Sequence, residues 1–80
     1  MTHTYLDHAA IHSVGTGEGG AARLRAKIAE EEAARQSYVG ESAVATLDRL
    51  IATRNIEALE GMLENSLQND AARATGKYSV

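Results

Sequence analysis

The sequence predicts an all-α fold, a small helical hairpin or three-helix unit with an irregular amino-terminal arm, and three observations carry that expectation. Proline is absent, alanine is abundant in the company of Leu, Arg, Lys and Glu, and apolar residues recur at three- and four-residue spacing from Leu24 to Leu67. With phenylalanine and tryptophan also missing, the core has to be built from Leu, Ile, Val, Met and Ala. A chain of 80 residues allows one domain with one small core. The absence of cysteine removes disulfides and thiolate zinc sites as sources of stability.

Residues 1–20 hold all three histidines and four of the seven glycines. The run Val14-Gly15-Thr16-Gly17-Glu18-Gly19-Gly20 would lose too much backbone freedom in a helix, so residues 1–20 are expected to form an arm with a hinge. Tyr5 to His12 suffice for one or two helical turns with Leu6, Ala9 and Ala10 on a face, but a helix that short needs something to lie against. A helical domain is expected over residues 21–75. Its first helix runs from Ala21 to about Ser37, with Leu24 and Ile28 four apart and Glu31 spaced to pair with Arg35. Beyond Ile28 the same face carries Glu31 or Glu32 and then Arg35, so the apolar stripe should fade into a solvated flank. Tyr38-Val39-Gly40 reads as a helix stop whose apolar residues pack back on the last turn, and Ser42 as the cap of the next helix.

Val44, Leu47, Leu50 and Ile51 share one helical face, while Ile56, Leu59, Met62, Leu63 and Leu67 share another. The two stripes are roughly 120° out of phase at the helical angle per residue. A bend at Thr53-Arg54-Asn55 is therefore expected, with Asn55 capping a separate last helix and Glu57 and Glu60 in its first turns. So short a connection would make the two helices antiparallel neighbours. The last helix should fade near Ala74, with Gly76 as terminator and residues 76–80 as a short tail.

The formal net charge of −3, with both signs spread along the chain, fits neither a DNA binder nor an acidic mimic of DNA, so nucleic acid is not an expected partner. No apolar run approaches the roughly eighteen residues of a membrane span, and Met1 to Asp7 do not read as a secretory signal. The expected location is the cytoplasm, or a virion if the chain is phage-encoded.

His3, Asp7, His8 and His12 form the one group resembling a metal site, of a kind suited to zinc, nickel or copper. They lie in a polar arm with nothing from the body of the chain to orient them, so no metal and no cofactor are expected. The pattern from Gly15 to Gly20 matches a nucleotide-binding turn only formally: no strand precedes it, and Glu18 would repel a phosphate. Arg23, Arg25 and Lys27 stand in the first turns of a helix, where free amides and positive side chains together form a candidate anion-binding site. The plainer reading is that these are solvated side chains, with Lys27 paired to Glu30 or Glu31. Ser13, Ser37, Ser42, Ser66 and Ser79 lack any nucleophile context, and Glu30-Glu31-Glu32 reads as a solvated helix face. No catalytic residue and no enzymatic activity are expected.

The expected function is that of a non-enzymatic structural or interaction protein, a small helical subunit that docks on a larger protein assembly. A hairpin of residues 42–74, buttressed by helix 21–37, would present Val44, Leu47, Ile51, Leu59, Leu63 and Leu67 as a seam shared between core and interface. Tyr5, Leu6 and Ile11 of the arm would wrap a neighbour. The apolar supply is lean for the length, which favours a protein partner or self-association. On composition alone, the chain fits a bacterial or phage accessory protein such as a minor virion component. The alternative is a free small helical effector or inhibitor that binds a protein or an anionic target through Arg23, Arg25 and Lys27.

Overall fold

A computed structural model of the chain describes residues 2–74, and their side chains as far as Asn69. Three helices account for most of them: α1 over His8–Gly15, α2 over Gly20–Ser37 and α3 over Ala43–Ala74, and no strand occurs among the described residues. The all-α fold is as expected. The expected terminator Gly76 and the tail 76–80 lie outside the described residues.

Residues 2–7 form an extended segment ahead of α1. Asp7 caps α1, its carboxylate accepting from the Ala10 amide at 2.8 Å. The helix starts later and runs further than expected, taking Val14 and Gly15 out of the glycine run. Its inner face is Ile11 and Gly15, not Leu6, Ala9 and Ala10. The expected entropic penalty is confined to Thr16–Gly19, where Gly17 (φ 85°) and Gly19 (φ 77°) adopt the left-handed conformation. Gly20 is needed for closeness: a Cβ there would collide with the Gly15 carbonyl oxygen. At Gly15 a Cβ would lie 2.7 Å from the Met62 methyl carbon.

α2 follows the sequence expectation to within a residue and ends as Tyr38 donates its amide to the Arg35 carbonyl at 3.3 Å, before Gly40 turns the chain at φ 102°. Val39 is 80% exposed, so the packing-back expected of it does not occur. Ser42 caps α3 as expected, its hydroxyl oxygen accepting from the Ala45 amide at 3.1 Å.

The expected bend at Thr53-Arg54-Asn55 is absent: α3 is one uninterrupted helix. Asn55 is a fully buried mid-helix residue and no cap, and Glu57 and Glu60 stand in the interior of the helix, not in a first turn. The hairpin is accordingly α2 against α3, not two halves of residues 42–74. Contacts descending α2 meet α3 in rising order: the Tyr38 carbonyl with Arg49, Arg35 with Thr53, Glu31 with Asn55. That order makes the pair antiparallel.

The apolar core is Ile11, Leu24, Ile28, Ile56 and Leu59, with Leu6, Val14, Met62 and Leu63 against it. Fully burying each such side chain is worth roughly 1.5–3 kcal/mol. It fills only the half of the α2–α3 seam nearest α1. Toward the 38–42 connection the seam turns polar, with Glu31, Asp48 and Asn55 buried beside Ala52.

Candidate docking surface

The polar half of the seam has the residue types of a catalytic site. Glu31 is 5% exposed, Asp48 3% and Asn55 0%, and the extended segment 3–6 lies over them. Glu31 does not belong to a solvated acidic face, nor does it pair with Arg35 or Lys27 as the sequence suggested. Its carboxylate accepts from His3 Nε2 at 2.7 Å and from Asn55 Nδ2 at 2.6 Å, while Arg35 turns to the Thr53 hydroxyl at 3.3 Å. A carboxylate only accepts, so His3 Nε2 carries the proton; in the neutral ring Nδ1 then accepts from the Tyr38 hydroxyl, 2.7 Å away. The two rings meet edge to face, with centroids 5.3 Å apart.

Backbone contacts complete the strapping. The His3 amide donates to Asp48 Oδ1 at 2.6 Å, the Leu6 amide donates to Asn55 Oδ1 at 2.9 Å, and Asn55 Nδ2 donates to the Thr4 carbonyl at 2.9 Å. Among the described residues no buried side-chain nitrogen or oxygen is left without a hydrogen-bond partner. Both nitrogens of His3 are occupied, and each buried acid faces a donor of the chain itself. The group fastens residues 3–6 to α2 and α3.

The same fastening disperses the histidines. His3 is drawn to Glu31, while His8 and His12 stack on the exposed side of α1 with centroids 6.2 Å apart. Among the described residues no three His, Cys, Asp or Glu side chains are placed to share a metal ion.

The candidate anion site is likewise reassigned at Arg23. Its guanidinium donates to the carbonyls of Val14 at 2.9 Å, Glu18 at 2.7 Å and Thr16 at 2.6 Å, so it closes the end of α1 and the glycine turn. Arg25 is exposed and Lys27 half-buried. The nearby glycine turn borders an open cleft of about 810 Å³ whose other wall includes Met62, Asn65, Ser66 and Asn69. The titratable side chains lining it, His12 and Glu18, are both exposed.

The residues expected to meet a partner divide by position. Ile11 and Leu59 belong to the chain's own core, with Leu6 and Leu63 half-buried against it. Tyr5, Val44, Leu47 and Leu67 are exposed, and Ile51 is half-buried. Leu50, from the same stripe as Leu47, is 50% exposed. Because α3 is uninterrupted, the phase difference between its stripes becomes an angle around one helix. Asp48, Ala52, Asn55, Ile56 and Leu59 face inward, and the stripe of Val44, Leu47, Leu50 and Ile51 is centred about 120° away, with Val44 and Ile51 nearest the seam and Leu47 and Leu50 farthest from it. Val44, Leu47 and Leu50, exposed within two turns, form an apolar patch with half-buried Ile51 at its edge.

The sequence reading missed His3, Glu31, Tyr38, Asp48 and Asn55 as a unit. The signal was present in α3: stepping back from Leu59 at helical spacing passes Ile56 and Ala52 and arrives at Asp48, placing a carboxylate on the buried seam. No protein-family model, characterised protein or solved structure matches this chain.

Proposed function

We propose that this chain is a non-enzymatic interaction module, a small structural subunit that docks on protein through the outer face of α3. The observation that carries the reading is the inverted amphipathicity of that helix's first half. Its buried positions include Asp48 and Asn55, while Val44, Leu47 and Leu50 stand in solvent. Aliphatic side chains held outward forgo apolar burial in the monomer, and a second surface laid over them removes that area from water. His3, Glu31 and Asp48 support the same reading, since each is hydrogen-bonded in closing the fold.

Site-specific photocrosslinking in the cells that make the protein tests this. A benzophenone side chain at position 47 is expected to give a discrete protein adduct, and one at the fully buried position 59 to give none beyond the chain itself. A folded protein with no adduct from position 44, 47 or 50 overturns the docking reading.

A further inference from the structure

We infer that the polar seam between α2 and α3 is a binding site for an extended peptide segment of a protein partner, one that carries an imidazole, two outward residues and then an aliphatic side chain. Residues 3–6 occupy the site as the chain's own competing ligand. The seam is on the inner side of α3, so this inference stands or falls separately from docking on the outer face. The contacts have the pattern of peptide recognition. His3 and Leu6 are half-buried, while Thr4 and Tyr5 between them are exposed. Three of the groups held belong to the main chain: the His3 amide, the Thr4 carbonyl and the Leu6 amide. In an extended chain the carbonyl of one residue and the amide two residues on lie along the same edge. The Asn55 side chain donates to the first and accepts from the second, and so takes the place of a neighbouring strand. Selectivity is left to two side chains: His3, between Glu31 Oε2 and the Tyr38 hydroxyl, and Leu6, against the apolar core.

The helices alone leave this seam unsatisfied. Among the described residues the His3 amide is the one donor to buried Asp48, and the His3 ring the one donor to Glu31 Oε2. α2 and α3 therefore hold two buried carboxylates whose donors come from an extended segment, and leaving either unmet is costly. Residues 3–6 lie outside any helix, so a partner's segment of the same pattern replaces them without unwinding an element.

The test is fluorescence anisotropy of a labelled peptide with the sequence of residues 2–7, titrated with the full chain carrying His3→Ala and Leu6→Ala to weaken the arm, with helicity read alongside. Binding at about 0.1–1 mM is expected. The parent should bind several-fold more weakly, because its tethered arm competes at millimolar effective concentration. Alanine for the peptide's histidine or leucine should weaken binding about tenfold or more, and N-methylation of its leucine about fivefold. Alanine for its second threonine or its tyrosine should change binding less than about threefold. No binding to the folded double variant overturns the site. Binding indifferent to the histidine or the leucine overturns the side-chain pattern, and binding indifferent to N-methylation overturns the main-chain contact. If the double variant does not fold, hydrogen exchange at the Leu6 amide of the parent decides. Exchange that accelerates as unlabelled peptide rises to about 10 mM supports displacement of the arm, and unchanged exchange overturns it.

Discussion

Removing the Asn55 side chain tests how the arm is held. Asn55→Ala deletes three hydrogen bonds, to the Thr4 carbonyl, the Leu6 amide and Glu31 Oε1. The Thr4 and Leu6 groups lie near the surface, where water replaces the lost partner, and each accounts for about 1 kcal/mol or less. Glu31 is different, because its carboxylate is buried and loses the charge-assisted bond it receives from Asn55. That loss, about 1.5–3 kcal/mol for a charged group, dominates. The total of about 2–4 kcal/mol is a large share of the roughly 4–12 kcal/mol expected for a domain of this length. Asn55→Asp should cost more than Asn55→Ala, since it replaces a donor 2.6 Å from Glu31 Oε1 with a second carboxylate oxygen. Urea denaturation followed by circular dichroism gives the stabilities, and hydrogen exchange at the Leu6 amide reports whether the arm has come away. Asn55→Asp matching the parent in stability, or Asn55→Ala losing less than about 0.5 kcal/mol with Leu6 still protected, would refute the fastening.

Three further changes probe the rest of the fold. Leu59→Ala empties the centre of the apolar half and should lower stability by about 2–5 kcal/mol in urea melts. Gly20→Ala sets a methyl group against the Gly15 carbonyl, so the turn between α1 and α2 must open; the thermal midpoint should fall and amide exchange across α1 should accelerate. Arg23→Ala strips the donors from three carbonyls at the end of α1 and in the glycine turn, and exchange over His8–Gly15 should speed up while that of α3 barely changes.

The legible part of the fold was the part governed by local chemistry. Alanine-rich composition located α2, Gly40 ended it and Ser42 opened α3, because propensity, a left-handed glycine and a capping hydroxyl all act within a few residues. The illegible part depended on groups far apart in sequence. Glu31, inside an acidic triplet, has every local mark of a solvated side chain, and only His3 and Asn55, 28 and 24 residues away, make its burial tolerable. Asn55 suggested a cap because asparagine favours caps, yet its amide satisfies the extended arm from the middle of a helix. Arg23 resembled an anion ligand because its partners are backbone carbonyls, which a residue-type pattern does not display. The two out-of-phase stripes were real, but a helix with two working faces and a bent helix leave the same periodicity.

Those two faces raise the question of what holds α3 in its present rotation. Rolling the helix by about 120° would turn Val44, Leu47 and Ile51 toward α2, a hydrophobically attractive alternative that strands Asp48 and Asn55 away from the arm. The polar seam therefore specifies rotation: it is satisfied in one orientation only, and its buried charges make the others costly. The absence of native cysteine allows single-cysteine labelling to read this out. In the parent background at low concentration, Leu47→Cys should label rapidly and Ala52→Cys, at a fully buried position, slowly. Adding Asn55→Leu removes the polar specification while keeping bulk at the seam, and the two labelling rates should converge as α3 samples the rolled orientation. An undiminished contrast in that background would mean that Leu24, Ile28, Ile56 and Leu59 set the rotation unaided, leaving the arm to cover the seam without choosing it.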